Sequence, residues 1–251
     1  MNKQSGISLI EIMIALLIGL FLLGGILQMF SASQQTYRMQ SNLSRLQENG
    51  RIALDFLAYD IRMAGYWGCM TSSTGDISGT EGGLNVPDSI TIKGGFALIP
   101  IGALIPTGAC GSLVNSANSC GAINCYTDLS STITYAISTY AAVNPTITLY
   151  RNTNNLVNPL IEGIQNMQIL YGVDSDGDGA ANYFVAANPA WIATDWIKVI
   201  SVRISLLVAT LDDNLITQPM TYTYNGVITT PADRKIRRIF TTTIALRNHL
   251  L

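Results

Sequence analysis

The chain is poor in the residues on which most enzymes and metal centres depend. Its 251 residues include one histidine, His249. A histidine proton relay or a mixed histidine–cysteine zinc set therefore lacks its ligands. No Cys-x-x-Cys pair, nucleophile elbow or phosphate loop occurs, so no enzyme is expected. Charged residues make up only 12% of the chain and the net charge is −2. That balance excludes both a global basic field for nucleic acid and the acidic excess of a disordered chain. Proline is absent before Pro87, so nothing in the first stretch forces a helix to break.

What the chain has instead is one long apolar run near its start, Ile12 to Phe30, free of charge and preceded by Gly6-Ile7-Ser8-Leu9-Ile10-Glu11. An ordinary secretory signal has an apolar core of roughly 7–15 residues with the cleavage site after it. Here the removable piece is the leader 1–6, with Lys3 as its only charge, and the apolar segment stays. At about 1.5 Å rise per residue, residues 12–30 span roughly 28 Å, close to the ~30 Å of a bilayer core. Two other arrangements fit the run: a secretory signal cut at Ser31-Ala32-Ser33, and a plain membrane anchor. Glu11 is the anomaly, because a carboxylate at membrane depth costs about 2.5–3.5 kcal/mol unless it is paired. A new α-amino group on Ile7 after cleavage supplies such a cation, including from a neighbouring subunit.

Gly6-Ile7-x-Leu9-x-Glu11 ahead of a long apolar helix resembles the type IV prepilin signal shared by pilins and type II secretion pseudopilins. The resemblance implies cleavage between Gly6 and Ile7 by a prepilin peptidase, N-methylation of Ile7, and Glu11 as the assembly residue. The chain departs from the family in beginning its mature part with isoleucine where phenylalanine is usual. It also lacks the proline kink of major pilins, leaving Gly19, Gly24 and Gly25 as points of bending or close packing.

Beyond Phe30, Leu43, Leu46, Ala53, Phe56, Leu57, Ile61 and Ala64 recur at three- and four-residue steps among polar residues, the stripe of an amphipathic helix. One helix over 7–65 is expected, membrane-spanning in 12–30, closed by Gly65, and followed by a globular exported domain over 66–251. From Tyr66 to about Leu129 the chain is rich in Gly, Ser, Thr and Asn, with one candidate strand at Ser89–Lys93. Cys69, Cys110, Cys120 and Cys125 form an even set in an exported chain, which favours disulfides over zinc. Of the three possible pairings, Cys120 with Cys125 and Cys69 with Cys110 are favoured. Alternation at 132–138, 146–151, 167–171, 202–208 and 240–246 predicts half-buried antiparallel strands. The fold class is α+β, a long helix packed on an antiparallel sheet with a long irregular disulfide-tied loop region.

Asp174-Ser-Asp176-Gly-Asp178-Gly179 sets three carboxylates two residues apart with glycine at the sixth position, as in the first half of a calcium loop. Ala180 would offer its carbonyl and Asn182 an amide or water contact, making Ca²⁺ the expected structural cofactor. The twelfth position is Val185, so the final bidentate ligand must come from elsewhere, Asp195 or Asp212-Asp213. The alternative is a solvent-exposed acidic turn. Arg234, Lys235, Arg237 and Arg238 read first as a solvated strand edge that discourages unwanted pairing, and second as a nucleic-acid contact.

The segments 163–172, 202–208 and 237–248, together with the acidic loop, are similar to the PilW family of type IV minor pilins. That resemblance implies a subunit that takes part with other minor pilins and the major pilin in priming pilus assembly at an inner-membrane platform, supporting twitching or adhesion. It implies a single-pass inner-membrane protein of a Gram-negative bacterium, with a periplasmic domain and contact to lipid before assembly, and then a place in the surface pilus. A minor pseudopilin of a type II secretion system, or a tip subunit binding adhesin targets or DNA, is the alternative.

Overall fold

A computed structural model of the chain describes residues 9–66, 76–83, 85–94, 131–139 and 147–249. Gly6, Ile7, all four cysteines and most of the loop region lie outside the described residues. The chain divides into two compact units, Met1–Ser44 and Arg45–Leu251.

In the first unit the described chain is helical throughout, as part of α1 (Leu9–Arg62). Its apolar side chains from Leu9 to Phe30 are exposed. The stretch is long and apolar enough to cross a bilayer, and none of its most apolar part is buried. A helix that is apolar all round and unburied in its own chain requires a non-aqueous or protein environment from outside.

The second unit begins with the rest of α1, which is amphipathic. Leu46, Ala53, Leu57, Ile61 and Ala64 are fully buried at seven-, four- and three-residue steps. Phe56, expected on that stripe, is 44% exposed; it neighbours Leu57 in sequence but lies about 100° around the helix from it. The helix ends in a turn at Gly65 (φ +71), whose N–H donates to Lys93 O at 3.0 Å. Asn248 Nδ2 donates to Ala64 O at 2.9 Å, so the last described residues cap the helix.

Eleven strands follow among the described residues, in two antiparallel sheets and a hairpin. The first sheet is a five-stranded meander in chain order: β1 (Ile77–Thr80), β2 (Ser89–Gly94), β3 (Ser131–Thr139), β4 (Ile147–Thr153) and β5 (Leu156–Glu162). The chain then passes through Gly163, whose N–H donates to Ile147 O and whose carbonyl accepts Ala209 N–H. That residue hands the strand direction into the second sheet. Its strands are β6 (Ile164–Val173), β7 (Tyr183–Val185), β8 (Val199–Ala209) and β11 (Arg237–Ala245), ordered β11-β8-β6-β7. A four-residue helix α2 (Ala193–Trp196) precedes β8. The small hairpin is β9 (Tyr222–Tyr224) with β10 (Val227–Thr229), joined by Asn225-Gly226 at φ 49 and 77. Positive φ at both central residues is the two-residue hairpin turn that Asn-Gly favours.

The α1 stripe and inward residues of both sheets share one core, including Ile90, Ile133, Leu149, Met167, Ile169, Val202, Ile204 and Ile244. Strands β6 and β8 are not half-buried as their alternation suggests; Asn166 and Gln168 on the second face of β6 are also buried. Gln168 explains this. Its Nε2 donates to Gly83 O and Val86 O, and its Oε1 accepts from Asn225 Nδ2, so Gly83, Val86 and the β9–β10 hairpin lie over that face.

Gly50, the one weak helix former in the buried half of α1, is required by packing. A Cβ there would lie 2.5 Å from the ring of Phe240 on β11. Gly50→Ala gains about 1 kcal/mol of helix propensity but overpacks the contact at a cost of about 1–3 kcal/mol. The expected outcome is a net loss of stability by denaturant titration in the native background. With Phe240→Leu present the same substitution becomes stabilising.

Candidate functional site

Two features lie where the chain could meet something outside itself: the acidic loop between β6 and β7, and Glu11 on the apolar helix. The loop leaves the sheet at Val173 and returns at Tyr183, with Asn182 N–H donating to Val173 O across its neck. Asp174 is its organiser. Oδ1 accepts from the N–H groups of Gly177 at 2.6 Å and Asp176 at 3.2 Å, and Oδ2 from Gly179 N–H at 2.9 Å. These donors, Gly179 and Gly177 foremost, hold the Asp174 carboxyl below the ordinary carboxylate range. Gly177 and Gly179 sit at φ 80 and 81, a conformation that side chains rarely adopt, and so the chain can wrap around one carboxylate.

Asp174, Asp176 and Asp178 can each bring one carboxylate oxygen within 4.8 Å of the others. That hard, all-oxygen set suits Ca²⁺ in kind and spacing. Asp176 and Asp178 are exposed. Ala180 N–H donates to Asp178 Oδ1 at 2.7 Å. Asn182 braces the loop, its Oδ1 accepting from Ser175 N–H and Oγ–H and its Nδ2 donating to Asp176 Oδ2. The distant acids suggested as completing ligands are engaged elsewhere. Asp195 Oδ2 accepts from Ile192 N–H, and Asp213 Oδ1 accepts from Asn214 and Arg234 N–H. Neither is in the cluster among the described residues.

The basic cluster is not one solvated edge. Arg237 is 7% exposed, with its two terminal nitrogens on Asp233 at 2.7 and 2.6 Å and Nε on Gln165 at 2.7 Å. Lys235 Nζ donates to Leu211 O. Only Arg234 and Arg238 are exposed. The fork pairing holds Asp233 below the usual carboxylate range, the Arg237 hydrogen bonds being the main cause. Half of the cluster is thus structural, with no continuous cationic tract.

Glu11 is exposed among the apolar residues of α1, and among the described residues no hydrogen bond or ion pair reaches it. The contrasting carboxylate on the same helix, Asp60, is 5% exposed. Its Oδ2 accepts from Tyr135 Oη at 2.6 Å and Arg151 Nε at 2.7 Å. Burial first, then the Asp60 charge, raises the Tyr135 hydroxyl far above its ordinary value. Sequence reasoning passed over Asp60, although a lone carboxylate among Leu57, Ile61 and Ala64 is a signal for a buried partner. His249 is also structural, its Nδ1 donating to Val199 O at 2.9 Å.

Two family models match the chain. The prokaryotic N-terminal methylation motif covers residues 1–27, and the model for type IV pilus-assembly protein W, PilW, covers residues 134–248. No curated protein matches the chain. Among solved structures it is similar to a type IV-like pilin from Thermus thermophilus, at 14% identity and a TM-score of 0.45, with 82% of this chain and 99% of that one covered. The methylation motif and the region 134–248, which takes in strands of both sheets, together define a type IV pilin-like protein with an apolar N-terminal helix. More particularly, residues 134–248 match the PilW family of type IV pilus-assembly proteins.

A second buried acid gives a pH signature. Asp88, 2% exposed, accepts from Gly82 N–H at 2.8 Å and Ile169 N–H at 2.7 Å. Burial raises its pKa from 3.8 to about 6, against the lowering effect of those two donors, with Glu81 adding to the rise. A carboxyl raised on folding stabilises fully below its unfolded value, and that contribution is lost as pH rises through the folded value. NMR titration should place the Asp88 carboxyl midpoint near 6, with its contribution to stability falling between 3.8 and about 6.

Proposed function

We propose that this minor pilin takes part in initiating type IV pilus assembly, entering the growing filament through α1 as a rare subunit. The observation that carries the proposal is Glu11, a single carboxylate in an exposed apolar helix with no partner among the described residues. Leaving it unpaired in hydrocarbon is costly. A cation brought by a neighbouring helix removes that cost and selects one axial register, which is what subunit addition needs. Cleavage after Gly6 by prepilin peptidase creates an ammonium on Ile7, the most economical source of that cation. In this reading the subunit waits in the inner membrane with its domain in the periplasm. It then joins other minor pilins, and later the major pilin, at the assembly platform.

The acidic loop adds a structural role for calcium. Three carboxylates within 4.8 Å repel one another unless a cation sits between them. Ca²⁺ held by Asp174, Asp176 and Asp178 supplies that charge and stiffens the connection between β6 and β7.

Protein recovered from membranes should begin at methylated Ile7; a start at Gln34 contradicts the processing step. Glu11→Gln should leave the processed subunit folded in the membrane while pilus number and twitching fall toward the deletion strain. Normal piliation in the deletion strain with loss of exoprotein secretion would instead assign the chain to a secretion pseudopilus. For the loop, calorimetric titration of the full chain in detergent should give saturable Ca²⁺ binding that Asp176→Asn with Asp178→Asn abolishes. Absence of heat and of stabilisation at millimolar calcium rejects the metal.

A further inference from the structure

Strand β11 ends the second sheet, and among the described residues no strand pairs with its outer side. The register identifies which groups it leaves open. Arg237 to Ala245 pair with Ala209 to Ser201 of β8. Leu246 N–H donates to Ile200 O and Thr210 N–H to Ile236 O. In an antiparallel ladder, bonded pairs alternate with non-bonded ones, so Arg238, Phe240, Thr242 and Ile244 turn their amides toward β8. Ile239, Thr241 and Thr243 turn theirs outward. From Ile239 to Ala245 the strand carries no charge, proline or glycine, none of the devices that normally blunt a free edge.

Beside this edge runs a groove of about 760 Å³ between α1 and β11. Arg51 and Arg62 line it from the helix and Arg238 from the strand, with Tyr59 and Phe240 between. All three arginines are exposed. Among the described residues none has a hydrogen bond or an ion pair, whereas Arg237 and Arg151 are each paired with an aspartate. Asp55 is the only acid lining the groove. Three unpaired guanidiniums thus converge on one groove of a chain whose net charge is −2.

We propose that this groove and edge form a docking site for an extended acidic peptide segment of another polypeptide, which adds to β11 as a further strand. Main-chain bonds to Ile239, Thr241 and Thr243 supply the pairing. Alternate side chains face the arginines, so carboxylates at every second position meet Arg238, Arg62 and Arg51. Nucleic acid is a poorer match, because its bases and phosphates do not repeat the alternating donors and acceptors of a strand edge. The site stands on the domain alone and holds whether or not the subunit initiates assembly.

The test uses the full chain in detergent micelles and a blocked, fluorescent peptide alternating valine with glutamate, nine residues long to match β11. Expected are saturable binding by anisotropy and slowed amide exchange at Ile239, Thr241 and Thr243. Arg62→Glu with Arg238→Glu, both at exposed positions, should weaken binding by about tenfold or more. Thr241→Pro, which removes an outward N–H, should abolish it. The valine–lysine peptide should not bind. No saturable binding at millimolar peptide, equal binding of the lysine peptide, or unchanged exchange at the three amides overturns the proposal. Tighter binding of oligodeoxythymidylate than of the glutamate peptide overturns it in favour of a nucleic-acid site.

Discussion

Asp60 is the point on which the domain turns. Near the end of α1 it places one carboxylate oxygen between the Tyr135 hydroxyl of β3 and the Arg151 guanidinium of β4. A carboxylate taken out of water is costly unless its partners are close and well directed, and here both donors approach within 2.7 Å. Burial works against the Arg151 charge, but Asp60 outweighs it and the guanidinium pKa is raised overall. Leu57, Ile61 and Ala64 are then fixed toward the core because they share the helix face that Asp60 marks. A helix rotated by one residue would withdraw both the carboxylate and the stripe.

The two carboxylates of α1 divide its labour. Asp60 is satisfied within the chain, and the helix around it is core. Glu11 has no partner among the described residues, and the helix around it is exposed and apolar. The same element therefore closes the domain at one end and presents an unsatisfied charge with an unburied surface at the other. A subunit that joins a filament, as proposed, needs both properties, because it must be folded before it is assembled yet incomplete without its neighbours. Gly50 serves the first end: without a side chain, it lets Phe240 lie against the helix backbone.

Much of this was legible in the residues and some was not, for physical reasons. The long helix and the antiparallel strands announce themselves by periodicity, which reports burial on one face. Alternation makes β6 and β8 read as half-buried because it cannot show what a distant loop covers, and Gln168 draws Gly83, Val86 and Asn225 over β6. The turns Asn154-Asn155 and Asn225-Gly226, with positive φ at both residues, carry hairpin signals in their residue types. The acidic loop is legible from spacing alone, since its three carboxylates and the glycines that turn it are local. Spacing cannot show where the distant acids bond: Asp195 accepts from the nearby Ile192 N–H, and Asp213 from its neighbour Asn214 and the remote Arg234 N–H. The basic cluster misled for a related reason: sequence shows four cations in a row but not that Asp233 and Gln165 claim Arg237.

The most direct test of this division is the unfolding free energy of the full chain in detergent after Asp60→Ala, with Leu16→Ala in the exposed apolar stretch as the comparison. Removing Asp60 strands a buried tyrosine hydroxyl and a half-buried guanidinium, so the expected loss is on the order of 3 kcal/mol, with Leu16→Ala changing domain stability by less than about 0.5 kcal/mol. Equal, small effects from both substitutions would contradict it, showing that the end of α1 is not pinned to the sheet by Asp60.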